Sequence, residues 1–353
     1  MMDVESRMEL IAREPTEEIV TPEELRALLE VNSRPRHYIG LEISGLLHLG
    51  SLVLTGFKIN DMIRAGVECT VFLADWHTFI NDKLQGDWDM IRKVARYYED
   101  AFRLFCPGVN VIMGSELYSR YEGYWDDLIR FSKHITLPRI MRSLTIMGRS
   151  ERDRLDFAQL IYPAMQAVDV HALGVDIAHA GIDQRKVHML ARDVFPKMGW
   201  KVPVAVHHHL LPGLGEPVRL GLEDESSIDL KVSSKMSKSK PHTSIFVHDD
   251  EHAIREKLRR AWCPESAENN PVLEIARYII FHEFREFTVE RPAKYGGSIT
   301  FTSYRELEEA YIGKRLHALD LKNAVASYLN RIVEPVREHF KDRREIVEVL
   351  ARQ

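Results

Sequence analysis

Cysteine is scarce in this sequence: three in 353 residues, Cys69, Cys106 and Cys263, far apart and with no CxxC pair. That spacing signals neither a zinc site nor a disulfide framework. Two nucleotide-binding signatures are missing as well. Neither GxGxxG nor GxxxxGK[ST] occurs, so the common dehydrogenase and P-loop readings lose their main support. No apolar run approaches the length of a membrane span. The stretch from Met1 to Glu18 is polar and charged and lacks the apolar centre of a secretion signal. The net charge of −5 gives no overall attraction for nucleic acid. Binding to nucleic acid would depend on local basic patches instead. A cytoplasmic protein without a membrane anchor is the expectation.

The chain is 45% hydrophobic and 29% charged, ample for a buried core. Its length suggests two or three domains. Residues 1–32 read as a helical extension: a helix over 4–13, then Thr21-Pro22-Glu23-Glu24 as a cap leading into 25–30. Strands are expected over 37–41, 70–74, 109–113, 175–180 and 203–207. Helices are expected over 51–65, 87–106, 124–133, 156–173 and 184–198, with an arginine-rich insert whose helix covers 137–148. This alternation predicts an α/β fold built on a doubly wound parallel sheet. After residue 249 the pattern becomes mostly helical, with helices over 250–262, 270–284, 303–312 and 319–340. A short β pair at 287–290 and 298–302 flanks Lys294-Tyr295-Gly296-Gly297. In the last helix Leu321, Ala324, Val325, Tyr328, Leu329, Ile332 and Val336 share a face at a period of 3.6, and Pro335 is expected to kink it. The domains therefore read as 1–32, then 33–248 with an insert near 134–155, then 249–353.

Two basic stretches stand out. One carries Arg139, Arg142, Arg149, Arg152 and Arg154; the other carries Arg331, Arg337, Lys341, Arg343 and Arg344. Each is equally readable as a solvated helix face or an RNA contact.

The segment Lys235-Met236-Ser237-Lys238-Ser239 sets two lysines three apart among hydroxyls, a composition suited to a developing pyrophosphate charge. Far upstream, the β-type run from Tyr38 meets Ser44-Gly45, then His48-Leu49-Gly50-Ser51, then an amphipathic stretch over 52–64. Gly50 would let a nucleotide approach the backbone, the helix N-terminus behind it favours phosphate, and His48 could donate to a triphosphate. Tyr162, Gln166 and Asp169 fall at i, i+4 and i+7 on one helix face beside Met165. They line a pocket there or form a polar outer face. The segment Ala178-His179-Ala180-Gly181-Ile182-Asp183-Gln184-Arg185-Lys186 is a strand-end turn opening a helix, where ligands bind in open α/β sheets. The run His207-His208-His209 alternates faces along a strand and is poorly spaced for a shared metal. A strand-end position bordering an adenosine pocket is expected for it, and no metal site is.

The lysine pentapeptide and the His48 turn together resemble the two signatures of class I aminoacyl-tRNA synthetases. One position departs: Ser51 stands where the signature usually has a second histidine. Residues 160–170 and 178–186, with Phe72-Leu73-Ala74-Asp75-Trp76-His77, are similar to the archaeal/eukaryotic tyrosyl-tRNA synthetases, over a span from about Tyr38 to about Phe340. The resemblance implies a Rossmann-like catalytic domain and a mostly helical anticodon-binding domain. It implies activation of tyrosine by ATP with Mg²⁺ on the phosphates, then transfer to tRNA, by a homodimer. His48, Lys235 and Lys238 would stabilise charge, and Gly50, Ser51, Met236, Ser237 and Ser239 would bind ATP. Tyr38 and Asp169 would read the phenol hydroxyl. Tyr162, Gln166 and Gln184 would hold the ammonium group, with Ala74 and His77 in the same pocket. Arg142, Arg185 and Lys186 would meet the tRNA acceptor end, and Tyr295, His317 and Asp320 the first anticodon base; Asp320 could equally cap a helix. Three alternatives stay open: a tryptophanyl-tRNA synthetase, a nucleotidyltransferase making a small-molecule adenylate, and a catalytically idle RNA-binding relative.

Overall fold

The computed structural model describes residues 2–149, 153–217 and 234–351. Arg152 of the first basic stretch lies outside them. The chain divides into two compact units, Met1–Gly45 with Lys58–His209 and Leu46–Phe57 with Leu210–Gln353.

The first unit is built on a six-stranded sheet in the order β1-β6-β5-β2-β3-β4. The strands are β1 (Thr16–Val20), β2 (Arg36–Leu41), β3 (Glu68–Leu73), β4 (Asn110–Met113), β5 (Ile177–Gly181) and β6 (Val204–His208). β2 to β6 are mutually parallel and β1 closes one edge antiparallel to β6. Succession runs β2-β3-β4 in one direction and β5-β6 in the other, so the winding reverses between β2 and β5. In such sheets ligands bind outside the strand C-termini at the reversal. The residues found there are Glu42 after β2 and Ile182 to Gln184 after β5, with Ala74 after the neighbouring β3.

The N-terminal extension is not purely helical, as its sequence suggested. After the helix Val4–Ala12 the chain forms β1, then the helix Pro22–Val31 capped by Thr21. Ile19 and Val20, β-branched, pair with Val206 and Ala205. Buried side chains fix the extension. Arg7 donates to the carbonyls of Ala65, Leu29, Asn32 and Ser33, and Lys58 to those of Leu10 and Arg13. Two short helices unsignalled by periodicity, Asp75–Ile80 and Gly114–Arg120, follow β3 and β4 directly. Each is under two turns long, too short to show a period.

The helix expected over 51–65 begins instead as a π-helical turn, Leu49–Leu54, and continues as the α-helix Thr55–Arg64. The turn groups with the C-terminal residues because it pairs with them. Leu49 N–H donates to the Ile245 carbonyl and Val247 N–H to the Leu47 carbonyl, both at 3.0 Å, and His48 bridges to Phe246. The second unit otherwise contains the hairpin β7 (Phe287–Val289) and β8 (Ile299–Phe301), the helices Glu251–Arg260, Tyr304–Ile312, Ala318–His339 and Arg344–Ala351, and, where one helix was expected over 270–284, the α-helical Pro271–Ile275 and Phe281–Glu283 joined by the π-helical Ala276–Ile280. Ala318–His339 runs through Pro335 as one element, and Leu321, Val325, Leu329 and Val336 on its apolar face are buried. Arg331 stacks over Phe284 and Tyr328, and Arg337 donates to the Asp249 carbonyl and Asn330. Those two arginines are therefore engaged within their own unit. Among the described residues no helix is long and apolar enough to cross a membrane.

Candidate active site

The second unit brings His48 and the lysine segment together. Met236 is buried and its N–H donates to the Leu211 carbonyl at 2.7 Å, while Lys235 bridges to Pro212. Ser244 Oγ donates to the Ser237 carbonyl at 2.7 Å, and the Ser237 and Ser239 hydroxyls lie 2.9 Å apart. Met236 thus anchors the segment through its side chain, leaving the lysines and hydroxyls as its chemistry. At the facing turn, Gly50 N–H donates to His48 Nδ1 at 3.1 Å, which leaves the ring proton on Nε2. A Cβ on Gly50 would come within 3.2 Å of that ring, so the missing side chain makes room for the imidazole itself. Ser51 Oγ accepts from His48 N–H at 2.9 Å. The serine in the place of the usual histidine therefore closes a capping box on the turn. Burial, then the charges of Lys238 and Lys235, hold the His48 pKa down at about 3, so the ring is a neutral Nε2–H donor.

The first unit gathers a cluster of buried polar side chains. The helix Phe157–Ala172 buries Tyr162 and Asp169 and half-buries Gln166, so this face is turned inward and is not a solvated outer face. Asp169 is fully buried. Its Oδ1 accepts from the Tyr124 hydroxyl at 2.6 Å. Its Oδ2 has no hydrogen-bond partner, and neither has either ring nitrogen of His77, whose Nε2 lies 3.6 Å from it. Burial pushes the Asp169 pKa up to about 8 and pulls His77 down to about 3, so the two do not form an ion pair at neutral pH. Tyr38, buried on β2, faces the same carboxyl, and burial and then the Asp169 charge raise its phenol pKa. Gly40 is required beside it: a Cβ there would lie 2.4 Å from the Tyr38 hydroxyl.

At the other end of the pocket Gln166 Nε2 donates to Gln184 Oε1 at 3.1 Å, and Gln184 Nε2 donates to the Ile146 carbonyl at 2.8 Å. Gln166 Oε1 is buried without a partner. Tyr162 donates to Glu42 Oε1 at 3.4 Å, and its ring meets His77 edge-on at a centroid separation of 4.5 Å. Ala74 is buried as the residue preceding the helix that carries His77. This set of oxygen acceptors suits an ammonium group, whereas the Asp169 end suits a hydroxyl donor. Sequence reasoning missed Glu42, Tyr124, Tyr118 and Gly40. The strand-end rule could have found Glu42, directly after β2; the tyrosines carry no local signal, being on other helices.

The histidine run is internal. His207 sits between Glu18, at 2.7 Å, and His188, at 3.0 Å; His208 contacts His179, which contacts His37, at 2.8 and 2.9 Å; His209 contacts Glu17 at 2.5 Å. Among the described residues no cluster of His, Cys, Asp and Glu could hold a metal ion.

The residues expected to meet tRNA are dispersed. Arg142 is exposed on the helix Leu137–Ser143. Arg185 Nε donates to both carboxylate oxygens of Glu18, at 3.0 and 2.9 Å, and Lys186 donates to Thr145 at 3.1 Å. In the second unit Tyr295 is 62% exposed. Its turn is tied by Arg291, which donates to the Gly297 and Arg315 carbonyls. His317 Nδ1 accepts from Leu319 N–H, so His317 takes the capping role that Asp320 could have had.

A family model described as class I tRNA synthetases (W and Y) matches residues 30–334. The chain belongs to this family. A tyrosine–tRNA ligase of Thermococcus sibiricus is 47% identical over 99% of this chain and 98% of its own length. One from Pyrococcus horikoshii is likewise 47% identical, over the same shares. Among solved structures, the Pyrococcus horikoshii tyrosyl-tRNA synthetase complexed with L-tyrosine covers 100% of both chains at 46% identity and a TM-score of 0.92. The Plasmodium falciparum tryptophanyl-tRNA synthetase covers 97% of this chain and 88% of its own at 18% identity and a TM-score of 0.68, a likeness of fold alone. The doubly wound catalytic sheet followed by helices is thus the architecture of a class I synthetase.

The His48 environment yields a direct prediction. Nitrogen NMR should show a neutral ring protonated at Nε2 and not titrating between about pH 5 and about pH 8. Replacing both Lys235 and Lys238 by alanine should raise its pKa yet leave it below the ordinary value, because burial is the larger cause.

Proposed function

We propose that this chain is a tyrosine–tRNA ligase. It activates L-tyrosine with ATP to tyrosyl-adenylate and pyrophosphate, then transfers the tyrosyl group to the 3′ end of its tRNA. The observation that carries the reading is Asp169 Oδ2, a buried acceptor without a donor in a pocket otherwise walled by aromatic and apolar side chains. A substrate phenol supplies that donor. Phenylalanine leaves the oxygen unpaired, at a cost of about 1–3 kcal/mol or more for a charged group. The indole of tryptophan carries no hydroxyl to meet Tyr38 and Asp169 together. The curated relatives and the tyrosine complex point the same way.

The residue roles follow. Tyr38 and Asp169 read the hydroxyl; Tyr162, Gln166 and Gln184, with Glu42, hold the ammonium group; Ala74 and His77 complete the wall. The substrate carboxylate attacks the α-phosphorus, the α–β anhydride breaks, and pyrophosphate leaves. No protein nucleophile is needed, only positioning and charge stabilisation. Nε2–H of His48 and the ammonium groups of Lys235 and Lys238 supply the charge, and Gly50, Ser51, Met236, Ser237 and Ser239 shape the ATP site. These groups are cations and hydroxyls rather than a carboxylate cage, so Mg²⁺ fits as an ion carried by the phosphates with waters of its own. Arg142, Arg185 and Lys186 address the acceptor end of the tRNA. Tyr295 stacks on the first anticodon base, with His317 and Asp320 at its edge. The reaction places the protein in the cytoplasm.

We further propose a homodimer through the exposed face of the helix Tyr124–Ser132. Trp125 and Ile129, one turn apart, are 51% and 67% exposed, and Leu137 nearby in sequence is 61% exposed. Such apolar exposure marks an interaction surface. Ile129→Asp should convert a dimer to a monomer in sedimentation; a parent that sediments as a monomer removes the proposal.

The reaction itself is tested by ATP–pyrophosphate exchange with each standard amino acid. Tyrosine alone should support it strongly, and Lys238→Ala should lower kcat by about a hundredfold with the KM for tyrosine unchanged. Exchange with no amino acid, or preferentially with tryptophan, contradicts the reading.

A further inference from the structure

The hydroxyl-reading carboxyl has a device of its own. Tyr124 opens the helix Tyr124–Ser132. Its ring packs against Tyr118 at a centroid separation of 4.1 Å and meets Trp125 edge-on at 5.3 Å. Its hydroxyl donates to Asp169 Oδ1 at 2.6 Å, with the Met165 carbonyl as a second, longer acceptor at 3.4 Å. Both side chains are buried. The Tyr118 hydroxyl lies beside Tyr124 and Asp169, outside good hydrogen-bonding geometry yet close enough to help hold the Asp169 pKa down, less strongly than Tyr124 does.

A carboxyl group has two oxygens and a rotatable χ2. Left alone, either oxygen of Asp169 could turn toward the substrate, and the group could draw a proton and become a donor. The Tyr124 bond removes the first freedom and opposes the second. It fixes which oxygen is tied and which faces the pocket, and it favours the ionised, acceptor-only form. We propose that Tyr124 is a positioning residue for amino-acid specificity: it holds Asp169 by Oδ1 so that Oδ2 is presented as an acceptor to the substrate phenol. Tyr124 does not touch the substrate. This rests on the reading of Asp169 as the hydroxyl acceptor.

The groups that face Asp169 set the sign of the pH effect. They are Tyr38 on β2, Asp75 and His77 on the helix after β3, Tyr118, Tyr124 itself, and Tyr162 on the same helix as Asp169. His77 is neutral, so no cation among these holds Asp169 ionised, and Asp75 adds a like charge that disfavours ionisation. The Tyr124 hydrogen bond, and after it Tyr118, opposes that effect and the burial. Removing it raises the pH at which Asp169 loses its proton.

The experiment compares kcat/KM for tyrosine and for phenylalanine in ATP–pyrophosphate exchange, across pH, for the parent, Tyr124→Phe, Tyr118→Phe and Asp169→Asn. Tyr124→Phe keeps the ring packing and removes only the donor. It should lower the tyrosine-to-phenylalanine ratio by about tenfold. The loss should come through a higher KM for tyrosine, with phenylalanine kinetics unchanged, and the rise of tyrosine kcat/KM with pH should move to higher pH. Tyr118→Phe removes a weaker contact to the same carboxyl and should lower the ratio by less than Tyr124→Phe does. An unchanged ratio and pH profile in Tyr124→Phe, with Asp169→Asn still losing discrimination, overturns the role of Tyr124 and leaves Asp169 as the reader. An unchanged ratio in Asp169→Asn as well overturns the reading of the pocket itself.

Discussion

A carboxyl group buried to 0% exposure, with one oxygen tied and the other unpartnered, is the constraint around which the first unit is arranged. Burying a carboxylate among aromatic rings is costly unless its lone pairs are met. Tyr124 meets one oxygen. The other has no hydrogen-bond partner in the protein, and burial raises the pKa of the carboxyl to about 8. In the proposed reading a substrate hydroxyl is the partner that removes the cost. The strands and helices serve that geometry. The reversal of winding between β2 and β5 opens the crevice, β2 carries Tyr38 into it, and the helix Phe157–Ala172 projects Tyr162, Gln166 and Asp169 along one face.

The second unit solves a different problem, how to hold a neutral imidazole beside two lysines. Backbone pairing between the His48 turn and the strand-like residues around Phe246 fixes their spacing. Gly50 admits the ring, its N–H occupies Nδ1, and Ser51 caps the turn through the His48 amide. A second histidine at that position would bring another imidazole into a cationic setting; serine supplies the cap without it. The result is a set of donors without a competing acceptor charge, suited to a leaving pyrophosphate.

Much of this was legible in the sequence. The parallel sheet followed from apolar strands alternating with amphipathic helices, and the i, i+4, i+7 spacing of Tyr162, Gln166 and Asp169 placed them on one face. Two things were not legible. β1 was hidden inside a stretch with good helix caps on either side, and its pairing with β6 connects residues far apart in the chain. Tyr124 acts through its contact to a distant partner, Asp169, and a single sequence carries no trace of that contact; Glu42, whose partner Tyr162 is also distant, was reachable only through its place at the end of β2. The surroundings of the histidine run were hidden for a related reason. His207, His208 and His209 are engaged with Glu18, His179, His188 and Glu17, partners that only the sheet order brings near. The signature turn packs with residues near 245 for the same reason: the pairing is between backbones and leaves no side-chain pattern.

The most direct measurement is the titration of the Asp169 side-chain carboxyl by carbon NMR, in the free protein and with tyrosine or phenylalanine bound. Asp169→Asn identifies the signal. The account predicts a free-state pKa near 8, far above the ordinary carboxylate range. Tyrosine, by donating its hydroxyl to Oδ2, should lower that value, and phenylalanine should not. An Asp169 that titrates in the ordinary range, or that responds alike to the two amino acids, would contradict it.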